Sequence, residues 1–386
     1  MVERFLNVNS FFPYELYTRI GEPFGYEHLS DVLSPSVAEF ESCRERYIQI
    51  PDPVLDLYSD FRPTSLLRAE RFEEAVGTDC EIYVKNEGEC PSGTHKMNSA
   101  CMIAHLLDSD GIQTVTTETT GNWGVALAHA CREFSLDSIC FIDAESNNYR
   151  PYTRAMIEKQ GSRVWIVHNR NDDADLLRLS ADAALQYTEN MDGAVYVFGS
   201  VFGYFLIPQS IVGLEAKEQL EAIDRYPDMV IGSCGGGANL MGLSGVFIED
   251  AVCDNHPTEL YSFESEDCPI LAQGRMGLFS IDSLGRFPFL RTYGLEAISP
   301  GEYIGGLGST IVASSVAYFH SEGVIKSEQL NSSEARRAAR IFFETEGIPV
   351  AVESGYQLAG AVKKAVSNHG KIILTNISSP TNATRG

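Results

Sequence analysis

From residue 63 onward, short runs rich in β-branched and aromatic residues alternate with longer stretches whose apolar positions recur at helical spacing. The short runs predict strands at 82–85, 114–118, 138–143, 163–167, 229–232, 260–263 and 371–375. The longer stretches predict helices at 96–108, 123–134, 152–160, 174–187, 208–223, 240–249, 311–321, 333–346 and 356–367. Strands alternating with helices of that length predict an α/β chain, doubly wound, with mostly parallel sheets. Two such groups, divided near residue 215, predict an N-terminal lobe at 63–215, a C-terminal lobe at 216–386 and a cleft between them. Residues 1–62 carry scattered prolines and aromatics with weak periodicity, and predict an extension that wraps the body. The polar run His168-Asn169-Arg170-Asn171-Asp172-Asp173 reads as a helix start, with Asp172 or Asp173 as its N-cap. The chain shows no repeat of about 20–50 residues and no low-complexity segment.

Composition narrows the partners. Of 386 residues, 53 are acidic and 29 basic, a formal charge of −24. That balance excludes a phosphate backbone as partner, because nucleic-acid binding needs clustered Lys and Arg. A 44% hydrophobic content is that of a globular chain with a core. No stretch approaches the ~18 uncharged apolar residues of a membrane span. Met1-Val2-Glu3-Arg4-Phe5 has neither the basic start nor the apolar run of a signal peptide, so a cytoplasmic location is expected. Nine dispersed cysteines without a Cys-x-x-Cys pair predict reduced thiols, and the eight histidines offer no zinc spacing.

Three segments carry candidate chemistry. In Cys90-Pro91-Ser92-Gly93-Thr94-His95-Lys96-Met97-Asn98, a strand ends in a Pro/Gly turn and Lys96 falls where a helix begins. The helix dipole disfavours positive charge there, which helps deprotonate the amine as a Schiff-base lysine requires. In Ser233-Cys234-Gly235-Gly236-Gly237-Ala238-Asn239, a buried strand runs through three glycines into a helix. Bare N–H groups at that terminus suit a phosphate ester. In Glu118-Thr119-Thr120-Gly121-Asn122-Trp123, hydroxyls and amides before a helix start could hold a carboxylate, with Glu118 as an acid or base in the same space.

Together these segments resemble the fold-type-II pyridoxal-phosphate (PLP) enzymes, and in particular the tryptophan synthase β family in its divergent, standalone-type second branch. The branch's R-P-T-P-L-x-R-A entry is matched by Arg62-Pro63-Thr64-Ser65-Leu66-Leu67-Arg68-Ala69, and its S-P-T-G-S-H-K-x-N by residues 90–98. Its C-V-G-G-G-S-N corresponds to residues 233–239, and an E-S pair to Glu353-Ser354. The resemblance spans roughly residues 25–380. It implies a two-lobed fold with the cofactor in the cleft, and Lys96 as the Schiff-base residue. His95 and the loop Gly235, Gly236, Gly237, Ala238 and Asn239 would hold the phosphate, Asn98 would lie near the ring hydroxyl, and Glu353 would belong to the cofactor site. Ser378 would face the pyridine nitrogen, and a neutral partner there limits charge delocalisation and favours β-elimination and replacement. Glu118 matches the family's catalytic glutamate. Thr119, Thr120, Gly121, Asn122 and Trp123 would bind the substrate. A homodimer and a monovalent-cation site are further family expectations.

The departures lie on the substrate side. The family's E-T-G-A-G-Q-[HW]-G is one residue shorter here, and Thr119-Thr120-Gly121-Asn122 looks like the loop of O-acetylserine sulfhydrylases, threonine synthases and threonine deaminases. The branch's G-G-L-R-Y-H-G becomes Gly305-Gly306-Leu307-Gly308-Ser309-Thr310, and Ala238 replaces a serine. The resemblance therefore implies β-replacement or β-elimination on serine or a related β-substituted amino acid through an aminoacrylate, with a separate nucleophile. Tryptophan synthesis from indole, a serine/threonine dehydratase reaction and a non-catalytic PLP-binding role are the alternatives.

Overall fold

The computed structural model of the chain describes residues 2–169, 175–253, 257–296, 298 and 305–380. Two sheets dominate. The larger has six strands in the order Ile325–Leu330, Glu259–Ser265, Met229–Ser233, Ile372–Ile377, Glu81–Asn86 and Leu66–Arg68. All neighbours are parallel except the last pair. The smaller sheet is wholly parallel, in the order Arg163–Val167, Asp137–Asp143, Thr114–Glu118 and Ala194–Tyr196. Their central strands are buried on both faces, as Ile82, Val84, Val230, Ile231, Ile373 and Leu374 show. Such strands require helices on each side, and the expected α/β, doubly wound, mostly parallel architecture is what the chain adopts.

Sheet membership does not follow the division near residue 215. Strands 66–68 and 81–86 precede that point, yet Glu81–Asn86 pairs with Ile372–Ile377 along its whole length. The larger sheet is thus assembled from both ends of the chain. Its β-branched strand at 81–86 needed a buried parallel neighbour, and local sequence cannot say which one it takes. The first 62 residues carry the short helices Pro35–Ser42 and Asp52–Ser59 and the strand Leu16–Tyr17, which extends the antiparallel pair Arg275–Phe279 and Phe289–Gly294. Phe5, Val37, Val54 and Tyr58 of this region lie fully inside the main core.

Several element boundaries move for identifiable reasons. The expected helix 208–223 is two helices, Gly203–Gln209 and Ile211–Glu221, separated at Ser210, whose hydroxyl donates to the Ile207 carbonyl. The expected helix 311–321 begins at Ser314, because Leu295 N–H donates to the Thr310 carbonyl and Thr292 Oγ1 to that of Val312. The helix expected at 356–367 starts earlier, at Val352, with Glu353 in its first turn where negative charge is favoured. Asp172 and Asp173 lie outside the described residues; the helix that follows begins at Leu176 and is capped by Asp175, which accepts from Arg178 N–H at 2.9 Å. Among the described residues no helix is long and apolar enough to cross a membrane, and no His/Cys/Asp/Glu group has the makings of a metal site.

Candidate active site

The carboxyl ends of strands from both sheets open on one cleft, the usual ligand position in open α/β sheets. Two adjoining cavities fill it, and Lys96, Asn122, Ser200, Gly236 and Gly306 line both. One is further lined by His95, Ser233, Gly235, Gly237, Ala238, Asn239, Glu353 and Ser378. The other is lined by Glu118, Thr119, Thr120, Trp123, Leu177, Phe198 and Gly199. The two halves inferred from separate segments thus meet at a single amine.

Lys96 opens the helix Lys96–Ser109, whose following residues Met97–Ala104 are all buried and fix its register. Its Nζ lies 3.3 Å from the Gly199 carbonyl and 5.2 Å from the centre of the Phe205 ring. Burial pushes its pKa down to about 8, partly opposed by Glu118 and Glu353. A part-buried amine with only a carbonyl and a ring beside it reaches its neutral, nucleophilic form about two pH units below an ordinary lysine. Lys85 is more deeply buried, with no exposed surface, but serves otherwise: its Nζ is 2.8 Å from Glu215 Oε2 and 2.6 Å from the Thr64 carbonyl. Arg62 and Glu87 complete that buried charge network.

The glycine loop cannot carry side chains. A Cβ on Gly235 would fall 2.2 Å from the Gly306 carbonyl oxygen, and Gly237 has φ +102°. Ala313 N–H donates to the Gly236 carbonyl at 3.0 Å, which turns the loop's peptide units in a fixed sense. The helix Ala238–Cys253 begins directly after it, so backbone donors and the dipole address the same space. Asn239 is held by Gln357 Oε1 at 2.7 Å and by Asn376 Nδ2 at 2.6 Å. His95 Nδ1 lies 2.7 Å from Gln209 Oε1. Ser99 donates to the Phe205 carbonyl and so accepts from Gln209 Nε2, which leaves Gln209 Oε1 as the acceptor and puts the imidazole proton on Nδ1. Burial, reinforced by the Lys96 charge, pushes the His95 pKa down to about 4.

On the other side, Glu118 ends its strand and is buried. Its Oε2 accepts from the Tyr196 hydroxyl and its Oε1 from Gly199 N–H at 3.4 Å. Burial is the main cause that pushes its pKa up to about 8, against those hydrogen bonds. Gly199 therefore touches both titrating groups, its N–H on Glu118 and its carbonyl on Lys96. Only glycine fits there, since a Cβ would lie 2.1 Å from the Trp123 ring. Trp123 donates to Thr117 Oγ1 at 2.7 Å. Thr119 Oγ1 accepts from Gly121 and Gly124 N–H, both at 2.9 Å, and so serves the start of the helix Asn122–Glu133. At the mouth, Glu353 accepts from Gly306 N–H at 2.7 Å and is paired with Arg150 at 3.4 Å, and Asn122 joins both.

Two expected residues are not brought to the cavities. Asn98 is fully buried and donates to Glu87 at 3.0 Å. It is two residues beyond Lys96, about 200° round the helix, and so faces the charge network instead. Gly121 lines neither cavity, and its N–H is taken by Thr119. The reading of sequence missed Tyr196, Gln209, Gln357 and Arg150. None has a local motif signal.

Residues 57–378 match the family model described as pyridoxal-phosphate dependent enzyme. The chain belongs to that pyridoxal-phosphate-dependent enzyme family. It is 31% identical to the tryptophan synthase beta chain 2 of Methanosarcina mazei, over 98% of this chain and 91% of that relative. It is 33% identical to the protein of that name from Thermotoga maritima, over 89% and 85% of the two, and 32% identical to the one from Aquifex aeolicus, over 92% and 87%. The PLP-dependent family reading fits the residues present. The glycine loop leaves no room for side chains, a part-buried amine without an ion pair among the described residues stands beside it, and Ser378 lines the same cavity.

Proposed function

We propose that this PLP-dependent enzyme carries out β-replacement, or β-elimination, on L-serine or a related β-substituted amino acid. The observation that carries the reading is the pair of groups either side of Gly199: a part-buried amine and a buried carboxyl, both with pKa values of about 8. Around neutral pH one supplies a base and the other an acid within one cavity.

Bound PLP supplies the aldehyde that takes the amino group and the ring that accepts the electrons of the α-carbon. Lys96 Nζ would attach the cofactor and, once displaced, take the α-proton of the substrate. Glu118 would give its proton to the departing β-oxygen, which turns a poor leaving group into water. The N–H groups at 235–239 would hold the phosphate with His95 beside it. Ser378 would face the ring nitrogen as a neutral partner. Thr120 and Asn122, at the start of Asn122–Glu133, would receive the substrate carboxylate. Trp123, Leu177 and Phe198 give this half an apolar wall that keeps water from the reacting atoms. We also infer a homodimer acting in the cytoplasm, in line with the family resemblance.

That apolar wall, and the names of the relatives, favour indole as nucleophile and tryptophan as product; the Thr-Thr-Gly-Asn loop favours dehydration instead. Incubating holoprotein with serine, with and without indole, separates the readings. Tryptophan formed only with indole supports replacement, pyruvate regardless of indole supports elimination, and neither product from serine overturns the substrate class.

A further inference from the structure

Tyr196 closes the short strand Ala194–Tyr196, parallel to the strand that ends in Glu118. Its ring is buried and meets the Phe287 ring edge-on at 5.2 Å. Its hydroxyl donates to Glu118 Oε2, and among the described residues it has no other hydrogen-bond partner. A phenol that turned its hydrogen away from Glu118 would bury an unsatisfied donor against aromatic carbon. The second partner of the carboxyl, the Gly199 N–H, can only donate. Both oxygens of Glu118 are therefore occupied as acceptors. When the carboxyl is protonated, its own hydrogen has to take a remaining lone pair, and the side left open is the cavity lined by Lys96 and Thr120.

We propose that Tyr196 is a positioning residue that aims the acid hydrogen of Glu118 into the substrate cavity and sets the pH at which that hydrogen is lost. The inference rests on Glu118 being the acid of the proposed reaction. The other titratable groups around the pair are Lys96 on its helix, Cys140 on the next strand, and Tyr204 and Asp282 behind the phenol. Burial raises the Glu118 pKa and the phenol pulls it back, since a donor favours the charged carboxylate. Removing the hydroxyl therefore moves loss of the proton to higher pH.

The test is infrared titration of the neutral carboxyl stretch of Glu118 in holoprotein, assigned by its loss in Glu118→Gln. In Tyr196→Phe the midpoint should rise by about one to two pH units. A fluorinated tyrosine at 196 keeps the ring, donates more strongly and should lower the midpoint, so a phenylalanine variant that folds poorly does not end the test. The high-pH limb of kcat with serine should move in the same direction in each case while KM stays within about two-fold. A Glu118 midpoint that moves in neither protein overturns the positioning role. A Glu118→Gln enzyme of full rate overturns the reading of Glu118 as the acid, and would do so even with the midpoint coupled to Tyr196.

Discussion

Lys85 and Lys96 flank the same turn, are both withdrawn from water, Lys85 fully and Lys96 in part, and do opposite things. The Lys85 ammonium meets Glu215, Gln219 and the Thr64 carbonyl, three acceptors for its three hydrogens. The Lys96 amine meets one carbonyl and a ring face. The more deeply buried of the two is the structural one, so burial does not by itself make a reactive lysine. A counter-charge within reach keeps a buried amine charged and structural, whereas its absence leaves the neutral, nucleophilic form accessible.

Lys96→Ala attacks the comparison most directly. Turnover should fall by more than about 10⁴-fold, and borohydride should fix the cofactor on Lys96 in the parent protein and on no lysine in the variant. An adduct on Lys85 would reverse the two roles. Lys85→Met should instead cost about 3–5 kcal/mol of stability, because Glu215 stays buried with part of its counter-charge gone. Urea unfolding measures that loss, and the borohydride adduct should still map to Lys96.

Gly235→Ala tests the cradle beside Lys96. Its Cβ meets backbone at 2.2 Å, so the loop must shift and PLP affinity should fall by about 100-fold or more, as an absorbance titration would show, with Lys85 and the fold untouched. Thr120→Val should raise KM for serine roughly ten- to a hundred-fold by removing one hydrogen bond to a charged group, ~1.5–3 kcal/mol, and leave PLP affinity as it was. The gentlest probe is pH. The rate of PLP attachment to Lys96 should climb about ten-fold per unit up to about 8, where the amine becomes neutral, and then level off. A rate still climbing toward the ordinary lysine value of 10.5 would place a solvated amine at the site.

Legibility in the sequence followed the range of the interactions involved. Strands Thr114–Glu118 and Arg163–Val167 have the bounds their patterns predict, since each shows its β-branched run between clear breaks. Ala194–Tyr196 has three residues and no pattern of its own; it is a strand because Thr114–Glu118 lies beside it. Ile325–Leu330 is largely polar, as the edge strand of its sheet can be. The candidate site divides in the same way. Lys96 and the three glycines sit in contiguous segments whose spacing carries the chemistry, and the cavities include them. Asn98 lines neither cavity because neighbours in sequence are not neighbours round a helix.

By itself, the order of residues determined an α/β chain with a lysine at one helix start, a glycine loop at another and a carboxyl at a strand end, because each depends only on local backbone geometry. Tertiary structure decided which strand neighbours which, and with it everything that makes those groups react. It separated Lys96 from any ion pair, folded Tyr196 and Gly199 onto Glu118 from a distant segment, and set Gln209 against His95. Those contacts join residues far apart in the chain, and only the packing of the two sheets brings them within hydrogen-bond distance and out of water.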